Sequence, residues 1–229
     1  MTAVERVLLA ALRAGASPEA SAWLDDALAS AAGRDSRPLL GSYTRAPLRV
    51  GRAALTFTPD QLRELRAAAP GVGFERWTQD DAVRALLLLT HRHGVTGHGF
   101  IEVALGCFEQ GDAREQQSWL RALPLWPEGP SFLPQAIDAC RTNIVPVFEA
   151  LACENPYPAE HFPDRNFNQV VLKAMFNNIA LSRIVGLRSR LNPELTRMAR
   201  DYAAERTAAG RTVPADITLS MHDAVAGDA

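Results

Sequence analysis

Three short triplets constrain this chain more than anything else in it: Ser17-Pro18-Glu19, Thr58-Pro59-Asp60 and Asn192-Pro193-Glu194. Each places a side-chain oxygen able to cap a helix, then a proline whose missing N–H is harmless in the first turn. An acid follows at the positive end of the helix dipole. Thr78 with Asp81 and Asp112 with Glu115 have the spacing of capping boxes and open two more helices. With apolar residues at helical spacing between these signals, helices are predicted near residues 2–14, 18–32, 59–69, 79–92, 97–110, 113–123, 131–153, 166–185 and 193–209. Gly33, Gly186 and Gly210 stand where left-handed caps would end helices. No run alternates as strands do, although Leu48 to Phe57 has room for a short extended piece.

The expected fold class is therefore all-α, an irregular array of about nine helices packed as helical hairpins. The expected organisation is a single domain over residues 1–211 with a poorly structured tail over 212–229, because little after Thr212 has a core-forming pattern. The weakest structural signal is Arg34 to Phe57, where arginines outnumber acids; it reads as a long surface linker able to meet phosphate or acidic lipid headgroups.

Composition excludes several function classes. At 229 residues and 47% hydrophobic, the chain can bury a real core. Its net charge of −2 lacks the basic excess of a nucleic-acid binder, so nucleic acid is not an expected partner. No apolar run reaches the length of a transmembrane helix, and Met1 to Arg6 does not resemble a leader. Cys107, Cys140 and Cys153 lack paired CxxC spacing and sit among apolar residues, which predicts reduced, buried thiols and a cytoplasmic location.

A second feature marks where a site would lie. All seven asparagines and the only lysine fall between Asn143 and Asn192, in a chain that otherwise uses arginine and alanine. The segment from Ser131 carries a core stripe through Leu133, Ile137, Cys140, Ile144, Val147, Phe148 and Leu151, with Pro146 predicting a kink near Thr142. A stiff connector with three prolines follows Asn155. Asn166, Gln169, Lys173 and Asn177 then fall on one stripe of the next helix, which either faces solvent or lines a pocket. The candidate ligand-binding residues are Arg141, Asn143, Glu149, Glu154, Asn155, Asn166, Asn168, Gln169 and Lys173. No catalytic set, metal set or cofactor motif is expected: His91, His93 and His98 lie close together but lack a completing acid or thiol, and Gly94 to Gly99 lacks the ending of a phosphate loop.

The blocks Trp119-Leu120-Arg121-Ala122-Leu123-Pro124-Leu125-Trp126-Pro127, Ala139-Cys140-Arg141-Thr142-Asn143, Phe148 to Pro158, Asn166 to Phe176, and Arg183-Ile184-Val185-Gly186-Leu187 with Asn192-Pro193-Glu194-Leu195 resemble the EboA family. The resemblance is specific from about Trp119 to Arg211 and looser upstream. It implies a role in traffic of a specialised metabolite, beside membrane prenyltransferase-like and hydrolase-like or isomerase-like proteins of the same pathway, and it carries over no catalytic residues. The expected function is a non-catalytic accessory protein that binds the metabolite or partner proteins. The alternatives are a small enzyme using Glu149 or Glu154 as base with Lys173 as clamp or Schiff-base amine, and a scaffold with an apolar patch near Leu123 to Trp126.

Overall fold

The computed structural model describes residues 1–222, and its regular structure is helical. Among the described residues there are twelve α-helices where the sequence predicts about nine: α1 (Ala3–Gly15), α2 (Pro18–Ala31), α3 (Arg37–Val50), α4 (Pro59–Ala68), α5 (Gln79–Gly94), α6 (His98–Glu109), α7 (Ala113–Ala122), α8 (Leu133–Ala139), α9 (Val145–Ala152), α10 (Tyr157–His161), α11 (Asp164–Phe176) and α12 (Pro193–Ala208). Short 3₁₀ turns join several of them. The chain divides into two compact units, Met1–Ala136 and Ile137–Ala229.

The three helix-start triplets act as expected, whereas Gly33 does not adopt the left-handed conformation and α2 ends through Ala32 in the helical region. Ser17 and Thr58 accept the backbone N–H of Ala20 and Gln61, and Asn192 accepts that of Leu195 at 2.8 Å. Gly210, at φ 64°, closes α12 with its own N–H on Thr207 and the Arg211 N–H on the Arg206 carbonyl.

In the first unit α5 is the central helix, with Ala82, Val83, Leu86, Leu87 and Leu88 all buried. The region read as a linker is α3 instead. Its buried stripe of Leu39, Tyr43 and Ala46 packs on α2 and α5, and the breakers Pro38, Gly41 and Pro47 mask that stripe in the sequence. Pro38 lies in the first turn, where it does no harm, and tertiary packing outweighs the poor propensity of the rest. The extended piece shrinks to one bridge, Ala54 with Thr78. The segment Leu123 to Trp126 forms no exposed patch: Leu123 and Trp126 are buried, and Trp126 joins Trp119, Phe100 and Phe132 in an edge-on aromatic cluster, Trp119–Trp126 centroids 4.9 Å apart.

In the second unit two predicted helices stop early. The span 131–153 does not merely kink near Thr142 but breaks there, ending at Ala139 and restarting at Val145. Pro146 lies in the first turn of the restarted helix, where its missing N–H is harmless, and Ile144 is the extended residue at its cap. The span 166–185 starts two residues early and ends at Phe176. There Asn178 adopts φ 54°, its N–H reaches the Met175 carbonyl, and the Ile179 N–H reaches that of Ala174. This is a Schellman closure with asparagine in the glycine role. Gly186, at φ 74°, ends no long helix; a Cβ there would lie 2.5 Å from that of Ala159. The proline-rich connector holds the one-turn α10, tethered by Asn155, which accepts the Tyr157 N–H and donates to the Ala150 carbonyl, both at 3.0 Å. After residue 212 the chain packs Ile217 and ties Leu181 N–H to Asp216 at 2.6 Å; the remainder of the expected frayed tail, 223–229, lies outside the described residues.

Candidate functional site

The break between α8 and α9 leaves carbonyls that take hydrogen-bond donors, and Lys173 supplies two of them. A helix that ends leaves carbonyls without intrahelical partners. The Lys173 ammonium, two turns along α11, donates to the Cys140 carbonyl at 2.6 Å and the Thr142 carbonyl at 2.5 Å. It also sits 5.0 Å from the centre of the Phe148 ring, a cation–π distance. The only lysine of the chain thus pins a helix end.

Beside that contact lies a cleft of about 590 Å³ lined by Ile137, Cys140, Arg141, Phe162, Arg165, Asn166, Gln169 and Lys173. Three lining residues are cations, two are amides and none is a carboxylate. Of the candidates named from sequence, Arg141, Asn166, Gln169 and Lys173 meet here. Three members of the polar stripe line the cleft; Asn177 instead donates back to the Lys173 carbonyl at 2.8 Å and helps end the helix. Arg165 carries no local sequence signal, because it is one more arginine in an arginine-rich chain.

The other candidates lie elsewhere. Asn143 is exposed on the break. Glu149 and Glu154 both hold Arg183, at 2.7 and 2.8 Å, and Glu154 adopts φ 47° so that its N–H also meets the Arg183 carbonyl at 2.9 Å. The Glu154 hydrogen bond, and then that of Glu149 against the cost of desolvation, raises the Arg183 pKa above its ordinary value. These carboxylates are structural anchors, and their placement lends no support to a general base. Asn155 is buried in the α10 tether, and Asn168 exchanges amide hydrogen bonds with Asn192 at 3.0 and 3.1 Å, holding the cap of α12 in place. Burial pushes the Cys140 thiol up to about 12, so at neutral pH it is a thiol and a poor nucleophile. Lys173, already donating to two carbonyls, is not placed as a Schiff-base amine.

The clustered histidines separate. His91 is buried with Nδ1 3.0 Å from the Ala31 carbonyl, His93 pairs with Glu5 at 2.7 Å, and His98 is exposed. Among the described residues no group of three His, Cys, Asp or Glu side chains is placed to hold a metal ion.

A second polar cluster, unmarked in the sequence reading, lies in the first unit. Asp80, Asp81 and Arg84 on α5 face Arg114, Ser118 and Arg121 on α7. Asp80 is fully buried and meets Arg84 at 2.8 Å and Arg114 at 3.2 Å; Asp81 accepts from Ser118 at 2.6 Å and pairs with Arg121. Burial alone would raise the Asp80 pKa, but hydrogen bonds from Arg114 and Thr78 and the nearby guanidinium charges outweigh it and hold it below the usual carboxylate range. Its sequence signal was the spacing of Arg114, Ser118 and Arg121 at i, i+4 and i+7 opposite a helix bearing two acids.

These features define an all-helical protein with one saturated ionic network and one cation-lined cleft. The chain belongs to the EboA family: the family described as Metabolite traffic protein EboA matches residues 4–222. No curated protein and no solved structure shows a match to it. Among the described residues no helix is long and apolar enough to cross a membrane.

Proposed function

We propose that this protein binds a small metabolite in the cleft between α8 and α11 and passes it on without altering it. The observation that carries this reading is the lining itself, where Ile137 and Phe162 offer apolar contact and Arg141, Arg165, Asn166, Gln169 and Lys173 offer hydrogen-bond donors on one concave surface. Small-molecule sites combine these features. Family membership supports a role in metabolite traffic. The nucleophile and base candidates are a neutral thiol and two carboxylates held by Arg183, which favours binding over catalysis. In this reading residues 1–211 act as one functional domain in the cytoplasm. The protein there serves membrane prenyltransferase-like and hydrolase-like proteins of the same pathway.

Native mass spectrometry of the freshly purified full chain, beside Gln169→Trp, tests the proposal. Gln169 is exposed and lines the cleft, so the larger ring fills the space without disturbing the core. A small molecule carried by the wild type and lost from Gln169→Trp is the expected result. No bound molecule in either protein, or equal retention by both, overturns it.

A further inference from the structure

We infer that the molecule held in this cleft bears a multiply charged oxyanion, a phosphate ester or a polycarboxylate, gripped by Arg141, Arg165 and Lys173. This rests on the reading of the cleft as a binding site.

The argument is a count of donors and charges. Arg141 spends one contact on Asp138, at 3.3 Å with both side chains 77% exposed, an arrangement that contributes little. Arg165 is exposed and has no carboxylate partner among the described residues. Lys173 uses two of its three N–H donors on carbonyls, which are dipoles and leave its charge uncompensated.

Elsewhere in the same unit several arginines are matched, Arg183 by Glu149 and Glu154, Arg190 by Asp164, and Arg197 by Glu194 and Asp201. Arg188, Arg200, Arg206 and Arg211, which pair with no acid among the described residues, do not line the cleft. The cleft is thus a place where three cations line one surface with no acid among them. A single carboxylate would balance one of the three, whereas a phosphate ester or a di- or tricarboxylate balances more and suits the forked guanidinium donors. The Asn166 and Gln169 amides can donate to further oxygens or orient an uncharged part of the ligand, and Ile137 and Phe162 supply an apolar wall.

The test is isothermal titration calorimetry of the full chain with sodium pyrophosphate, sodium phosphate, sodium citrate and sodium acetate at constant ionic strength. It uses wild type, Arg165→Gln, Arg141→Gln and, as a control away from the cleft lining, Arg200→Gln. Saturable binding of a polyanion is expected, with acetate much weaker. Arg165→Gln and Arg141→Gln should each weaken it by about tenfold or more, as losing a charge-assisted hydrogen bond does, while Arg200→Gln leaves it unchanged.

Preference for the phosphates over citrate assigns a phosphate ester, and the reverse assigns a polycarboxylate. Absence of saturable binding, no preference over acetate, or equal affinity in Arg165→Gln overturns the inference. If the mass spectrometry described above finds an uncharged molecule that Gln169→Trp loses, the oxyanion assignment falls while the cleft reading stands. If both experiments are silent, both fall.

Discussion

The α5–α7 network and the α8–α11 cleft are both rich in arginine, yet they are opposite in kind. Around Asp80 and Asp81, guanidinium groups meet carboxylates in a buried setting, and Ser118 and Thr78 complete the hydrogen bonding. Around Lys173, cations line an open concave surface with no acid among them. The first arrangement has nothing left to offer a ligand. The second has spare donors and uncompensated charge. Richness in polar residues therefore does not mark a site; an imbalance between donors and acceptors at an accessible surface does.

The strongest way to break this comparison is Asp80→Ala. Removing one partner strands Arg84, whose side chain is only 2% exposed, and the expected loss is about 3–5 kcal/mol of unfolding free energy in urea titration. A loss under about 1 kcal/mol would mean that the network is not a structural anchor.

Acid supplies a milder version of the same perturbation. Asp80 is held below the usual carboxylate range, as is Glu5, where hydrogen bonds from Thr2 and His93 outweigh burial. Their contribution is complete above the unfolded carboxylate pKa, about 4, and is lost as pH falls through the lower folded values. The urea midpoint should therefore fall below that pH, and Asp80→Asn should flatten the dependence.

Asn192→Ala removes the cap of α12 and leaves the buried Asn168 amide without its partner. A loss of about 1–2 kcal/mol is expected, read from the same titrations. Ligand binding should be unaffected, since neither residue lines the cleft.

Arg165→Gln should have the smallest effect on folding, within about 0.5 kcal/mol, because the side chain is exposed and pairs with no acid among the described residues. Its whole effect should appear in anion affinity. A large stability loss with unchanged binding would reverse the contrast between the two regions.

Much of the helical layout was legible because capping is local. A Ser, Thr or Asn, a proline and an acid identify a helix start from three adjacent residues, and α2, α4 and α12 begin where those triplets stand. α3 was not legible, since Pro38, Gly41 and Pro47 argue against a helix and only burial of Leu39, Tyr43 and Ala46 against neighbouring helices decides for it. The asparagine-rich stretch did point to the segment holding the cleft. Most of its amides nevertheless serve the fold: Asn155 tethers α10, Asn168 and Asn192 brace a cap, and Asn177 and Asn178 close α11.

By itself the sequence determined the all-α class, most helix starts and the neighbourhood of the candidate site, because each depends on residues a few positions apart. The tertiary structure alone decided that Glu149 and Glu154 belong to Arg183, that Asn168 belongs to Asn192, and that Arg165 joins Arg141 and Lys173 around one cleft. A polar side chain is spent or available according to which distant group packing brings within about 3 Å, and that partner is set by the packing of whole helices, not by local spacing.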